Sequence, residues 1–171
     1  MIKHCKEFEV VVIGAGPAGI SCAKTLQKNG ISNCIIEKKQ FPRNKTCGGL
    51  VSNKTTSLLK EEFPNVNKRL DEVALECSAD VSLVNGEESS ADFTVKDSFY
   101  IVQRKTFDNC LLEEYKSLGG IIFENETDYA IDFSKNNIVL SDGSKIEYKY
   151  LVFAVNSNSY FSLTKSEISS S

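Results

Sequence analysis

An apolar segment that runs directly into three closely spaced glycines constrains this chain more than any other feature. Residues 9–20 read EVVVIGAGPAGI, and Gly14, Gly16 and Gly19 lie where a predicted strand meets a predicted helix. Gly14 permits the tight turn, Gly16 lets phosphate oxygens approach the backbone, and Gly19 lets the helix pack closely on the strand. The N–H groups and the dipole at the helix start favour an anion. The pattern predicts a dinucleotide pyrophosphate site formed by Gly14, Ala15, Gly16, Pro17, Ala18 and Gly19.

The residues after the glycines complete a βαβ unit. An apolar face over residues 18–26 predicts a helix, Asn29-Gly30 ends it, and residues 32–37 (SNCIIE) predict a buried parallel strand. Glu37 ends that strand, where a carboxylate accepts the hydroxyl hydrogens of an adenosine ribose and repels a 2′-phosphate. The alternative is a packing turn followed by a surface acid.

Composition favours one ordinary α/β domain. The 171 residues are 41% hydrophobic and 25% charged with a net charge of −3, which indicates no nucleic-acid partner. The N-terminus has no apolar signal core and no apolar run spans a bilayer, so we expect a cytoplasmic protein, at most peripheral to a membrane. Six cysteines without a CxxC pair and a single histidine predict no metal site.

The order of predicted elements resembles that of an α/β Rossmann-like FAD/NAD(P)-binding domain with a parallel sheet, a β-meander and a partial second sheet. The pattern predicts a helix at 50–61, short strands at 73–75, 81–84 and 93–95, and separate strands at 145–148 and 150–155. Asn85-Gly86, between two of the short strands, predicts a hairpin in the second sheet. The polar C-terminal end predicts a disordered tail. Residues 1–171 are expected to form a single domain with Rossmann parts at 7–62, 98–125 and 150–155, a sheet excursion at 66–97, a meander at 127–149 and the tail at 158–171.

The loop from Lys38 to Gly49 combines basic side chains with a closing glycine pair, which is typical of a segment that covers a ligand. Arg43 has a planar fork that suits a pyrophosphate, and Cys47-Gly48-Gly49 brings backbone close to a flat ring. The alternative is a solvated basic loop that ends in a glycine turn.

Arg104 lies between a predicted strand at 99–102 and a predicted helix at 106–118. If that strand is parallel to the first two, Arg104 shares their carboxyl edge and contacts a cofactor phosphate or ribose. The alternative is an ordinary surface arginine at the start of a helix.

Two segments give the chain a family resemblance. Residues 41–49 (FPRNKTCGG) resemble the F-P-R-x-K-x-C-G-G loop of the geranylgeranyl reductases, and residues 102–111 (VQRKTFDNCL) resemble their V-x-R-x-x-F-D-x-x-L segment. These enzymes belong to the glutathione-reductase-like flavoproteins and reduce double bonds of isoprenoid lipids through FAD, for which NAD(P)H is a candidate donor of electrons. The resemblance implies FAD contacts at the glycine motif, Glu37, Lys38, Arg43, Cys47, Gly48, Gly49 and Arg104, with Cys47 as the candidate catalytic residue beside the flavin ring.

The chain also departs from that family. Where the family's closing strand runs into G-A-D-G-x-x-S, residues 152–157 read VFAVNS, and the chain corresponds to roughly the first half of such an enzyme. The first hypothesis is therefore a truncated FAD-binding oxidoreductase domain with an isoprenoid lipid substrate. The second is an inactive relic or one half of a split enzyme whose missing part a second chain supplies. The third is a NAD-binding module without catalysis.

Overall fold

The computed structural model describes residues 5–85 and 89–155, which divide into two compact units. The first unit contains the described residues up to Phe41 and from Tyr115 onward, and the second contains Pro42–Glu114. No helix in these described ranges is long and apolar enough to cross a membrane. In chain order the elements are β1 (Cys5–Ile13), α1 (Pro17–Lys28), β2 (Asn33–Ile36), β3 (Leu50–Val51), α2 (Asn53–Glu62), α3 (Pro64–Lys68), α4 (Leu70–Val73), β4 (Ala74–Asn85), β5 (Ser89–Val102), α5 (Arg104–Ser117), β6 (Ile121–Phe123), β7 (Ala130–Asp132), β8 (Asn137–Val139) and β9 (Lys145–Phe153).

The first unit is built on a six-stranded sheet in the order β6-β2-β1-β9-β8-β7. β6, β2, β1 and β9 are parallel, whereas β7 and β8 form an antiparallel extension beside β9. All four residues of β2 are buried, as is typical of a parallel strand covered on both faces. The core includes Val11, Cys34, Ile36, Ile138 and Ile146, each at most 1% exposed. This parallel-rich α/β sheet confirms the predicted fold class.

The second unit contains a three-stranded antiparallel sheet in the order β3-β5-β4. Pro64 starts α3 immediately after Phe63, the residue that caps the C-terminal end of α2, because proline suits the first helical turn but cannot continue a preceding helix. Phe63, Val66 and Leu70 are buried, and the buried Glu114 carboxylate accepts a hydrogen bond from the Val66 N–H at 3.0 Å.

Several element boundaries differ from the predictions. The helix predicted from Leu50 begins only at Asn53, because Leu50 and Val51 pair with β5. The strand predicted at 73–75 begins one residue later, because Val73 ends α4 and β4 begins at Ala74. The short strands predicted at 81–84 and 93–95 are parts of the long antiparallel pair β4 and β5, which agrees with the predicted hairpin. The turn itself, at 86–88, and the predicted tail at 158–171 lie outside the described residues.

The strands predicted separately at 145–148 and 150–155 form one continuous strand, β9. It follows β1 along its whole length, from the pair Lys145 and Cys5 to the pair Phe153 and Ile13. The pairing with β1 thus makes β9 continuous, and such a long-range pairing cannot be read from the sequence alone.

A buried hydroxyl stabilises the first unit. The Tyr115 hydroxyl donates to Asn33 Oδ1 at 2.9 Å and accepts from the Ile121 N–H at 3.2 Å. The Tyr115 side chain has no exposed surface, and burial raises the pKa of its hydroxyl to about 12. The hydroxyl therefore acts as a neutral connection between β2 and the start of β6.

We expect Tyr115→Phe to lower the free energy of unfolding by about 1–3 kcal/mol, because the substitution leaves a buried amide oxygen and a backbone N–H without their partner. Tyr150→Phe, at a side chain that is 69% exposed, is the control and should change stability by less than about 0.5 kcal/mol. Urea unfolding followed by circular dichroism measures both. Equal stability of the two variants would contradict a structural role for the Tyr115 hydroxyl.

Candidate functional site

The turn after β1 depends on Gly14. Its φ of +102° disfavours any residue with a side chain, and a Cβ there would lie 2.7 Å from the carbonyl oxygen of Ala154, just after β9. The Gly14 N–H also donates to the Ile36 carbonyl at 2.8 Å. Backbone from β2 and from the end of β9 therefore holds this turn on both sides.

Gly19 and Gly16 are glycines for different reasons. A Cβ on Gly19 would overlap the carbonyl oxygen of Gly14, so this glycine permits α1 to pack against the turn. A Cβ on Gly16 would meet no described atom within 4 Å. Packing among the described residues therefore gives no reason for a glycine at position 16, whereas the close approach of a ligand would give one.

The N-terminus of α1 suits an anion. Gly16 is the N-cap residue, Pro17 follows it, and no side chain among the described residues caps the helix. The Ile20 N–H donates a hydrogen bond to the Gly16 carbonyl at 2.9 Å. The first turn contains no acidic residue, so its N–H groups and the positive end of the helix dipole suit a phosphate.

The Glu37 side chain, which the sequence predicts as a ribose ligand, supports the turn. The residue is 6% exposed, its Oε2 accepts from the Ala15 N–H at 2.8 Å, and its Oε1 accepts from the Lys39 N–H at 3.0 Å. Each carboxylate oxygen can accept a second hydrogen bond. Support of the turn is thus compatible with ribose binding, which stays a prediction, as does the role of the exposed Lys38.

In the second unit, a buried carboxylate joins the two predicted arginines. Arg104 donates through Nε to Asp108 Oδ1 at 2.7 Å and through Nη2 to Oδ2 at 2.9 Å, and Arg43 Nη1 lies 3.3 Å from Oδ2. The Asp108 side chain has no exposed surface. Asp108 is the residue that sequence reasoning missed, although its position four residues after Arg104 on a helix is the signal that finds it.

Arg104 was predicted to share the carboxyl edge of β1 and β2 on the condition that the strand before it is parallel to them, and this condition is not met. β5, which precedes Arg104, pairs antiparallel with β3 and with β4 and is not part of the six-stranded sheet. The strand before Arg104 therefore gives no reason to expect Arg104 at the carboxyl edge of the six-stranded sheet. Arg104 lies at the start of α5 and pairs with Asp108, and its contact with a cofactor stays a prediction.

The Cys47-Gly48-Gly49 segment lies directly before β3, the short strand of the three-stranded sheet. Gly49 has a φ of +75°, a Cβ there would overlap the Val102 carbonyl oxygen, and the Gly49 carbonyl accepts from the Val102 N–H at 2.9 Å. Cys47 is exposed, and hydrogen bonds from the Gly49 backbone and from Arg104 lower the pKa of its thiol. A Cβ on Gly48 would meet no described atom within 4 Å.

A family model confirms the broad class of protein. Residues 8–165 match the model of the pyridine nucleotide-disulphide oxidoreductases. The chain belongs to this family. The match and the fold together support a Rossmann-like FAD/NAD(P)-binding domain of oxidoreductase type.

The names of individual relatives of this pyridine nucleotide-disulphide oxidoreductase domain state different activities or none. An uncharacterized protein of Methanosarcina barkeri is 32% identical over 70% of this chain and 29% of its own length. A digeranylgeranylglycerophospholipid reductase of Methanothrix thermoacetophila is 28% identical over 66% of this chain and 28% of its own. The structure of the flavin-dependent brominase Bmp2 matches with a TM-score of 0.76 and 23% identity over 92% of this chain and 40% of that one. The chain thus spans less than half the length of these relatives.

We expect Asp108→Asn to lower the free energy of unfolding by about 2–4 kcal/mol, because it removes the charge that balances two largely buried arginines. Glu61→Gln removes an exposed carboxylate from the same unit and should change stability by less than about 0.5 kcal/mol. Thermal and urea unfolding of both variants test this. If Asp108→Asn unfolds like the original chain, the carboxylate does not hold the arginines.

Proposed function

We propose that this chain is the FAD-binding part of an oxidoreductase of geranylgeranyl reductase type, which reduces double bonds of an isoprenoid lipid. The observation that carries the cofactor assignment is the open space in front of Gly16, at the start of a helix without a described side-chain cap. Packing explains Gly14 and Gly19, whereas an approaching phosphate explains Gly16.

The residues of the first unit fit the ADP end of the cofactor. In the proposal, the first-turn N–H groups of α1 bind the pyrophosphate, and Glu37 binds the adenosine ribose while it keeps Ala15 in place. The buried position of Glu37 keeps its carboxylate in one orientation, which favours recognition of two neighbouring hydroxyl groups. A 2′-phosphate would bring further negative charge against the Glu37 carboxylate, so this site favours FAD over a ligand of the NADP type.

FAD, when bound, supplies an acceptor and donor of hydride, for which NAD(P)H is the proposed electron donor. The residues of the second unit are proposed from the resemblance: Arg43 and Arg104 as cofactor contacts, and Cys47, Gly48 and Gly49 beside the flavin ring. Arg104 donates to both Asp108 and Cys47, and its hydrogen bond to Cys47 helps to lower the pKa of that thiol.

The isoprenoid substrate is supported by two observations. The FPRNKTCGG loop of residues 41–49 has the pattern of the geranylgeranyl reductases, and a relative over 66% of this chain is named a digeranylgeranylglycerophospholipid reductase. The chain spans 28% of that relative's length. Turnover therefore requires this domain together with further protein, in the same chain or in a second one.

We expect Gly16→Ala to weaken FAD binding at least tenfold and to leave the free energy of unfolding within about 0.5 kcal/mol, because its Cβ meets no described protein atom but enters the space of the phosphates. Gly19→Ala is the matched control, because its Cβ would overlap the Gly14 carbonyl and should destabilise the fold itself. Titration with FAD, followed by flavin fluorescence, and urea unfolding separate the two effects. Unchanged FAD affinity in Gly16→Ala would overturn the assignment of the pyrophosphate site.

The first experiment on the cofactor is the visible absorption spectrum of the purified chain, with identification of any flavin released on denaturation. Two flavin bands and released FAD support the proposal and justify assays of reduction by NADH and NADPH. A colourless chain that binds added NAD but not FAD supports a nucleotide-binding module without flavin. A chain that binds neither overturns the proposed cofactor site.

A further inference from the structure

The segment that follows β6 contacts the end of β2 but has no regular structure of its own. Residues 124–129 contain neither helix nor strand, and Asn125 has a φ of +62°. The strand before this segment is parallel to β2, with Phe123 opposite Ile36. Because the segment has no ladder of backbone hydrogen bonds, its position depends on individual contacts.

The chain at the end of β6 holds the backbone of Glu37 on both sides. The Glu37 N–H donates to the Phe123 carbonyl at 2.8 Å, and the Glu126 N–H donates to the Glu37 carbonyl at 3.1 Å. The Glu37 side chain in turn holds the turn that follows β1, through the Ala15 N–H. The orientation of the carboxylate that is proposed to bind the ribose therefore depends on the segment after β6.

The side chain of Glu126 is itself fixed by the turn between β8 and β9. The residue is 9% exposed, and its Oε2 accepts from the Ser141 N–H at 3.0 Å and from the Ser141 hydroxyl at 2.8 Å. Hydrogen bonds to a carboxylate are stronger than those between neutral groups. A series of hydrogen bonds thus leads from the turn between β8 and β9, through Glu126 and Glu37, to the turn that follows β1.

We propose that Glu126 is a positioning residue of the nucleotide site, which holds Glu37 in the orientation that binds the two ribose hydroxyl groups. This inference rests on the proposed function, because Glu126 acts on a ligand only through Glu37. Two neighbouring hydroxyl groups donate to one carboxylate only when it is aimed at both, since hydrogen bonds weaken steeply when they are misaligned. Loss of the Glu126 carboxylate should therefore lower selectivity for the ribose more than affinity for the phosphates.

The test compares ADP with 2′-deoxy-ADP, which lacks one of the two hydroxyl groups, by isothermal titration calorimetry. We expect the original chain to bind ADP at least about tenfold more tightly, because 2′-deoxy-ADP lacks a donor to the carboxylate. In Glu126→Ala this ratio of affinities should fall below about threefold. A purely structural role would leave the ratio unchanged, because a smaller folded fraction lowers both apparent affinities by the same factor.

Asp142→Ala is the matched control. The Asp142 carboxylate accepts from the N–H group and the hydroxyl of Ser144, at 2.8 and 2.9 Å, in the same turn between β8 and β9. The control thus removes an equivalent pair of hydrogen bonds that does not involve Glu126, and the ratio should stay within about twofold of its original value. Urea unfolding reports the stability of both variants. An unchanged ratio in Glu126→Ala overturns the proposal, and so does an equal fall in Asp142→Ala.

Two further variants test the contact with Ser141. Glu126→Gln keeps an oxygen that can accept both bonds from Ser141 and should keep the ratio within about twofold. Ser141→Ala removes only a hydroxyl from an exposed residue and should lower the ratio about threefold, so it provides the decisive result if Glu126→Ala does not fold. A ratio that falls as far in Glu126→Gln as in Glu126→Ala, or that is unchanged in Ser141→Ala, overturns the proposal.

The original chain separates this inference from the proposed function. A chain that binds neither ADP nor FAD overturns both. Equal affinity of the original chain for ADP and 2′-deoxy-ADP overturns the ribose role of Glu37, and with it this inference, but retains the pyrophosphate site. Selective binding of ADP that persists in Glu126→Ala overturns this inference alone.

Discussion

The parallel pairing of β1 with both β2 and β9 is the constraint on which the first unit depends. β1 is paired on both sides, and the residues directly after it form the glycine turn. The ends of these two neighbouring strands meet this turn. The Gly14 N–H donates to the carbonyl of Ile36, the last residue of β2, and the Ala154 N–H, just after β9, donates to the Ile13 carbonyl at 2.8 Å. A glycine at position 14 follows from this crowding as much as from the requirements of a ligand.

The sequence predicts the first βαβ unit well because its signals are local. The apolar run, the glycine spacing, Asn29-Gly30 and the acid at position 37 all lie within about 30 residues, as such a unit requires. β9 was harder to delimit, because the residues that pair with it lie about 140 positions earlier in the chain. The same reason explains β3: only the register with Ile101 makes Leu50 a strand residue.

The internal partners of the candidate site residues could not be predicted from their residue types. Arg43 and Arg104 were expected to have an external phosphate as their counter-ion, yet the structure provides Asp108 from within the second unit. Glu37 was expected to serve a ribose, and it also accepts two backbone hydrogen bonds. A motif shows which side chains a ligand favours, but the internal partners of those side chains become visible only when the chain is folded. In both arrangements, side chains that were predicted to bind a ligand make structural contacts within the protein.

The Glu37 carboxylate has one consequence for the thermodynamics of binding. Its bonds to the N–H groups of Ala15 and Lys39 hold the glycine turn in shape from within the protein. A nucleotide that arrives at such a turn does not need to order it, so little conformational entropy is lost on association. The cost of ordering a loop is then not subtracted from the free energy of the phosphate contacts, as it would be at a flexible loop.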